Sequence, residues 1–249
     1  MRRWWLRKPG SILAPSLCLL LPLTLVPGAC QKEDKGQEAE RPGPDEIVVR
    51  VGDMEFTQAE LDQDFAFLKG ADPSLSAGYI RYYVLTQVLI PGRLIRKALD
   101  PEVTAEVRKR AEELALAVRS AGGDLTTLRR YGDPLGGKES PFPLFRTNDL
   151  EIAAARAAFG LEIGQVSRAI HGLWGSYVLS PTSVIPGVAG SAESRKVYTV
   201  FFPYSEESGF KSRILKEAER YTKLPLEVHS YYYRELRPSA TDIRILPKD

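Results

Sequence analysis

Residues 153–180, AAARAAFGLEIGQVSRAIHGLWGSYVLS, constrain the fold of this chain more than any other segment. The alanine-rich start predicts a helix that lies close against a sheet, with Phe159 on its packed side. Gly160 fits a helix C-cap, where a left-handed residue is needed, and Gly164 fits a loop hinge. The segment therefore predicts a helix followed by a loop.

Two short strands are predicted after that loop. Residues 166–170 and 177–179 contain the β-branched, aliphatic and aromatic side chains typical of strands, and residues 172–175 between them form a glycine-rich turn. A helix followed by such a hairpin is compatible with many α+β domains.

The spacing of this segment resembles the C-terminal half of a parvulin-type peptidyl-prolyl isomerase domain, the family that includes the PpiC, SurA and PrsA proteins. In that family, a helix of small residues ends in Phe-x-Leu, a Gly and a Val/Ile-Ser pair follow, and a Gly-x-His strand ends the motif. Tyrosine replaces the strand histidine here, and the matching residues are Phe159, Leu161, Gly164, Val166, Ser167, Gly175, Tyr177 and Val178. The preceding segment, VRKRAEELALAVRSAGGDLTTLRRYGD, is similar to the helical part of the same family, so the resemblance covers about 107–180.

The first 29 residues predict a targeting segment, with Arg2, Arg3, Arg7 and Lys8 ahead of an apolar run. Small residues before Cys30 resemble the lipobox of bacterial lipoproteins, which implies that Cys30 is acylated. The alternative is an ordinary secretory signal cleaved near Ala29. Residues 30–45 are charged and lack large aliphatic side chains, so they predict a flexible tether.

Composition after the signal excludes some classes of partner. The whole chain is formally +2, but residues 1–29 contribute four basic residues and no acids, which leaves −2 for the remainder. This balance does not indicate a nucleic-acid surface.

Cys18 belongs to the signal and Cys30 to the lipobox, so we expect no disulfide, and we expect neither a metal nor a cofactor. No later stretch is long and apolar enough to span a bilayer, which leaves a lipid at Cys30 as the expected membrane attachment.

Residues 46–104 predict a helical module that opens with a strand at 46–51. Thr57 followed by Glu60 is a capping-box signature for a helix through about residue 69. A second apolar helix is predicted at 79–99, and Pro91 should kink or divide it. The order of strand, capped helix and apolar helix resembles the opening of the SurA and PrsA type of periplasmic foldases.

The remaining chain completes a predicted α+β architecture. A helix at 102–119 with an apolar stripe begins the parvulin-like α/β domain, residues 105–186, which should contain a small antiparallel sheet. Residues 187–249 predict a strand–helix–strand extension, with strands at 197–204, 226–233 and 243–246 and a helix at 206–221. We expect 197–202 to pair with 177–179 as a strand that the parvulin-like sheet otherwise lacks. A rival interpretation makes it the start of a truncated second copy.

The resemblance implies noncovalent rotation of an X-Pro bond, whose uncatalysed barrier is about 18–20 kcal/mol. Parvulins lower that barrier with two histidines and a Cys or Asp around the twisting amide. Here Tyr177 replaces the strand histidine, and a proline occupies the Cys/Asp position, with Asp133 next to it as a partial substitute. The only histidines of the chain are His171 and His229. These substitutions predict weak or absent isomerase activity.

The family also has an apolar cup that receives the proline ring. The residues at the corresponding positions, which we predict to bind peptide, are Phe145, Leu150, Ala154 and Phe159. Ala154 stands where the family has Phe, and the smaller side chain leaves that wall open.

These observations predict a lipid-anchored foldase or chaperone on the periplasmic face of a bacterial envelope membrane. Its partners would be unfolded or extended exported polypeptides, and Gln31 after the cysteine favours the outer membrane. Aromatic residues at 201–204 and 231–233 either contact clients or fill the core. Two alternatives are an active isomerase with a rearranged site that uses Tyr177, Asp133 and His171, and a noncatalytic scaffold subunit of an envelope complex.

Overall fold

The structure is a computed structural model that describes residues 40–143, 151–186, 194–233, 235–236 and 243–246. Within these ranges the fold is α+β, with helices packed around two four-stranded sheets. The predicted signal at 1–29, the lipidation site Cys30, most of the predicted tether at 30–45, and the predicted peptide-binding residues Phe145 and Leu150 lie outside the described residues.

The elements follow in chain order. The first part contains β1 Ile47–Val51, β2 Met54–Thr57, α1 Gln58–Asp62, α2 Phe65–Ala71, α3 Ala77–Val84 and α4 Ile90–Ala98. The middle part contains α5 Pro101–Ser120, α6 Leu125–Gly132, β3 Lys138–Pro143, α7 Ile152–Gly160, β4 Ile170–His171 and β5 Gly175–Ile185. The last part contains β6 Ser194–Pro203, α8 Phe210–Tyr221, β7 Leu226–Val228, α9 Ser230–Tyr233 and β8 Ile243–Ile245.

The predicted capping box is confirmed at the start of α1. The hydroxyl of Thr57 accepts a hydrogen bond from the Glu60 backbone N–H at 3.3 Å, and the Glu60 carboxylate accepts from the Thr57 N–H at 3.0 Å. Two amide groups without a partner inside the helix are thereby satisfied. The predicted single helix is divided, because α1 ends at Asp62 and α2 begins at Phe65.

The predicted division of the helix at 79–99 is also confirmed, and it lies just before Pro91. A π-helical turn, Leu85–Leu89, separates α3 from α4, and Pro91 stands in the first turn of α4. Proline has no amide hydrogen, and its ring would clash with the carbonyl of Gln87 four residues earlier in a regular helix. Widening the preceding turn to π geometry accommodates that change without ending the helical path.

The first sheet joins the two ends of the described chain. Its order is β2-β1-β7-β8; β1 is antiparallel to β2 and β7, and β7 is parallel to β8. Helices α4 and α8 share the core of this sheet through Ile90, Leu94, Phe210 and Ile214. The predicted segments 46–104 and 187–249 therefore share one core and are not separate structural units.

The second sheet has the order β3-β6-β5-β4, and each neighbouring pair is antiparallel. Val178 on β5 lies opposite Val200 on β6, and Tyr177 lies opposite Phe201. The predicted pairing of 197–202 with 177–179 is therefore confirmed. Strand β6 lies in the interior of the sheet although it comes from the predicted extension.

Helices cover both faces of the second sheet. Because side chains alternate along a strand, Val178 and Val200 point to α5 and α6, while Leu179 points to α7. Ala154 and Ala158 on α7 are both 0% exposed against that second face. The small alanine side chains allow the close approach that their spacing predicted.

Three local predictions were wrong. Of the strand predicted at 166–170, only Ile170 is in a strand. Ser167 pairs with Leu179 through its side chain as well as its backbone, and this interrupts the regular strand pairing. The Ser167 N–H donates to the Leu179 carbonyl at 2.8 Å, and the Ser167 Oγ accepts from the Leu179 N–H at 3.0 Å. Gly160 ends α7 without left-handed geometry, since Leu161 continues in extended conformation, although Gly164 does have a positive φ of 84°. The predicted strand at 226–233 stops at Val228, and α9 follows it.

Candidate functional site

A groove of about 490 Å³ opens where α3, α4, α7, α8 and the turn between β4 and β5 meet. This volume is within the range of about 300–1,000 Å³ found for ligand sites. Its apolar lining comes from four separate segments, which supply Val88 and Leu89, Ile152, Leu173 and Trp174, and Leu215. Its charged and titratable lining consists of Glu60, Asp64, Arg96, Arg108, Glu151, His171 and Lys211.

Glu151, the residue before α7, fastens the β4–β5 turn to the groove wall. Its carboxylate accepts hydrogen bonds from the backbone N–H groups of Leu173 and Trp174, the latter at 2.7 Å. The Tyr177 hydroxyl donates a third hydrogen bond to the same carboxylate at 2.7 Å. One side chain thus fixes the turn that presents Leu173 and Trp174 to the groove.

Gly172 permits this arrangement. A Cβ atom at this position would collide with the Glu151 carboxylate and lie 2.9 Å from Cε2 of Tyr177. The Gly172 N–H donates to the Gly175 carbonyl at 2.8 Å and closes the turn. The predicted glycine-rich turn at 172–175 is confirmed, and its first glycine is needed for space beside the carboxylate.

Burial perturbs the acid–base properties of the Glu151–Tyr177 pair. Burial raises the pKa of Glu151, and the hydrogen bonds from Tyr177, Trp174 and Leu173 and the charge of Lys211 counteract that rise. Burial, followed by the charge and the hydrogen bond of Glu151, raises the pKa of Tyr177 well above its ordinary value. Tyr177 is therefore a neutral donor at pH 7, and its one proton is engaged by Glu151.

The structure separates the two predicted catalytic residues. Tyr177 packs with α7 on one face of the second sheet, whereas Asp133 accepts a hydrogen bond from the hydroxyl of Tyr198, which packs with α5 and α6 on the other face. Alternation of side chains along β5 and β6 produces this separation. Tyr177 and Asp133, which were predicted as catalytic residues, therefore lie on opposite faces of the sheet and are not brought together.

His171, the third residue of the rearranged-site alternative, does line the groove. Its Nδ1 lies 3.0 Å from the Ser176 Oγ, and its Nε2 lies 3.2 Å from Glu112 Oε1. A serine, a histidine and a carboxylate joined in this order by hydrogen bonds are typical of nucleophilic catalysis. Ser176 is 0% exposed on β5, however, so a substrate atom cannot reach its hydroxyl. The cluster satisfies a buried hydroxyl.

The predicted peptide-binding residues that are described lie away from the groove lining. Ala154 is buried against the sheet, and the guanidinium of Arg195 lies 5.2 Å from the ring centroid of Phe159. Ala154 and Phe159 therefore do not form a cup at the groove, because α7 directs them to the sheet. Trp174 is the residue that the sequence analysis missed, although it is the only tryptophan after position 5 and lies in the predicted turn.

Asp64 is a second carboxylate in the groove wall, and it is more deeply buried than Glu151. It is 5% exposed, and its Oδ1 lies 3.0 Å from Nη1 of Arg156. Burial raises the pKa of Asp64, and the positive charge of Arg156 opposes that rise. Asp64 thus has an ion-pair partner on α7.

The described ranges contain neither a metal-ligand cluster nor a membrane-spanning helix. No group of three or more His, Cys, Asp or Glu side chains in those ranges is arranged to hold a metal ion. Among the same residues, no helix has the length and apolar character needed to cross a bilayer.

The sequence matches no family model, no curated protein and no solved structure. The likeness to parvulins therefore depends on the residue pattern within 107–180 alone, and the function of the groove follows from the chemistry of its lining.

Proposed function

We propose that this chain is a foldase- or chaperone-type protein of the bacterial envelope, which binds extended segments of unfolded exported polypeptides in the groove. The observation that carries this proposal is the 490 Å³ groove beside the Leu173–Trp174 turn, open to solvent and lined by apolar side chains from four segments. Concave apolar sites with a few polar groups are the usual form of a binding site.

The groove offers contacts suited to a polypeptide of variable sequence. Trp174 is partly buried, so its indole presents an apolar surface and a polar N–H to a ligand. Leu215 is 37% exposed on α8 and lines the same groove. Apolar contact of this kind depends on buried area more than on direction, which favours binding of many different segments.

The proposal includes little or no isomerase activity. Rotation of a prolyl bond is accelerated by donors placed where charge redistributes in the twisting amide. The Tyr177 hydroxyl already donates to Glu151, and Asp133 is engaged by Tyr198 on the other face of the sheet. Neither group is free to act on a peptide in the groove, which supports binding without catalysis.

Lipid anchoring is the second part of the proposal. The basic start, the apolar run and the small residues before Cys30 support acylation of that cysteine. A lipid there and a charged segment at 30–45 would tether the folded domain to a membrane of the envelope.

Suppression of aggregation tests the proposed function. The full-length protein should reduce the light scattering of a chemically unfolded client protein as it is diluted into buffer. Leu215→Asp should remove most of that effect, because the charge enters the apolar groove lining. Leu135→Asp is the matched control, since Leu135 is 46% exposed and does not line the groove. Equal effects of the two variants would contradict a role for the groove.

A protease-coupled assay of prolyl isomerisation tests the catalytic part separately. We expect no rate above the uncatalysed one at protein concentrations that suppress aggregation. Turnover that disappears in Tyr177→Phe would show instead that the chain is an active isomerase. A protein that neither suppresses aggregation nor isomerises peptides would favour the scaffold alternative.

A further inference from the structure

We propose that the groove selects polypeptide segments in which acidic side chains adjoin apolar ones. This inference rests on the proposed function and adds the chemical class of the client segment. The distribution of charge around the groove carries it, because the lining acids already have partners within the protein and the lining cations have no ion-pair partners.

Each lining acid is engaged by the protein itself. Glu60 forms an ion pair with Arg93 at 2.7 Å and also accepts from the Thr57 N–H. Asp64 is paired with Arg156, as described above. Glu151 accepts three hydrogen bonds from the β4–β5 turn and β5. A basic side chain of a client would have to compete with these partners.

The lining cations are Arg96, Arg108 and Lys211, and none of the three takes part in an ion pair within the part of the chain that the structure describes. Arg108 Nε lies 3.4 Å from the Tyr204 hydroxyl, a neutral group. Lys211 Nζ lies 5.5 Å from the ring centroid of Trp174. These contacts with neutral groups orient the two cations. The charge of Lys211 also acts on Glu151, although the two groups form no ion pair.

The cations surround the turn that supplies the apolar contacts. Lys211 lies over Trp174, and Arg108 is joined to the same turn through Tyr204, whose N–H donates to the Trp174 carbonyl at 3.0 Å. At Gly92, a Cβ would lie 3.8 Å from Nη1 of Arg96 and 3.3 Å from Cδ1 of Leu173. Arg96 and Leu173 therefore both border Gly92, and positive charge and apolar surface occur together in the groove lining.

The environment of Arg96 agrees with this assignment. Burial and the neighbouring charge of Arg93 lower the pKa of Arg96, and Glu60 only partly offsets them. A cation that is close to another cation and lacks an ion pair gains from an incoming carboxylate. The preference should weaken with salt, because the Debye length falls from about 10 Å at 0.1 M to about 3 Å at 1 M ionic strength.

Fluorescence anisotropy with labelled peptides tests the selectivity on the full-length protein. The peptides share an apolar sequence of Leu and Phe, carry Glu, Gln or Lys at the same alternate positions, and have acetylated and amidated ends, so that side chains supply the only charges. At low ionic strength we expect the Glu peptide to bind about tenfold more tightly than the Lys peptide. The difference should shrink towards unity at 1 M salt.

Charge-reversal variants place the preference in the groove. Lys211→Glu and Arg96→Glu should each weaken binding of the Glu peptide about fivefold more than they weaken binding of the Gln peptide. Lys216→Glu is the matched control, because Lys216 is an exposed lysine on the same helix as Lys211 and does not line the groove.

The outcomes separate this inference from the proposed function. Tight binding of all three peptides, with dissociation constants that do not depend on peptide charge, would overturn the acidic preference. The proposed function would still hold in that case. Tightest binding of the Lys peptide would overturn the acidic preference as well, since the lining acids would then be the available groups. Failure of every peptide to bind would remove both proposals together.

Discussion

The Tyr177 hydroxyl donates a 2.7 Å hydrogen bond to the carboxylate of Glu151, and this contact joins strand β5 to the residue that precedes α7. The same carboxylate accepts the N–H groups of Leu173 and Trp174. One partly buried acid therefore connects a strand, a helix and the turn that lines the groove. Tyr177 supports the site as a structural donor, and its hydroxyl is not available to a substrate.

Tyr177→Phe should lower the free energy of unfolding by about 1.5–3 kcal/mol, the usual cost of losing a hydrogen bond to a charged group. Asp133→Ala should lower it through the separate bond with Tyr198. Because the two residues lie on opposite faces of the sheet, their effects should add to within about 0.5 kcal/mol in a double-mutant cycle. Urea denaturation of the wild type, the two single variants and the double variant measures the coupling energy. A coupling energy well above about 0.5 kcal/mol would show that Tyr177 and Asp133 act at one site.

Gly172→Ala should destabilise the protein by about 1–3 kcal/mol, because the added Cβ overlaps the Glu151 carboxylate and approaches the Tyr177 ring. Gly160→Ala is the control: nothing lies within 4 Å of a Cβ there, and the residue ends a helix. That second change should be neutral or stabilise by up to about 1 kcal/mol. Thermal unfolding compares the two, and similar effects would show that the turn does not pack on Glu151.

Glu151→Gln should reveal the raised pKa of Glu151 as a pH dependence of stability. Burial favours the protonated form, so the folded state keeps this proton to higher pH than the unfolded state does. The contribution of Glu151 is therefore complete below the unfolded-state pKa of about 4.3 and is lost as pH rises through the raised value. The stability of the wild type relative to the variant should fall over that window.

Denaturation of the wild type and Glu151→Gln from about pH 4 to 7 measures the difference in their free energies of unfolding. The pH dependence that Asp64 contributes is the same in both proteins and cancels in the difference. Glu113→Gln is the control, since Glu113 is exposed on α5 and lies 3.9 Å from Lys109. A wild-type advantage that grows with pH would mean that the three donors outweigh burial.

Val200→Asp should prevent stable folding, because the side chain is 0% exposed between β5, α5 and α6 and the new charge would have no partner. Val184→Asp on β5 is the control, with Val184 44% exposed. Circular dichroism and size exclusion distinguish the two. A folded Val200→Asp protein would contradict the interior place of β6 in the second sheet.

Local signals in the sequence predicted much of the architecture. The capping box at Thr57, the division before Pro91, the alanine-rich face of α7 and the pairing of Val200 with Val178 each depend on residue chemistry that is visible within a short window. The fold class follows from these elements.

The groove could not be predicted in the same way. Arg96, Glu151, Trp174 and Leu215 come from distant segments, and only the tertiary packing brings them together. The pairing of β1 with β7 likewise joins segments far apart in the sequence and has no local signal. The separation of Tyr177 from Asp133 could not be predicted either, because the likeness to parvulins gave positions along the chain, whereas the faces of β5 and β6 decide which side chains meet.

Site-specific photo-crosslinking tests the central claim, that polypeptide segments bind in the groove, most directly. A photoreactive amino acid replaces Leu215 in the groove or Leu135 outside it, both in the full-length protein, and an unfolded client is added before illumination. We predict crosslinks to the client at position 215 in several-fold excess over position 135, with peptides mapped to segments rich in acidic and apolar residues. Equal crosslinking at the two positions, or crosslinking at 135 alone, would contradict the account.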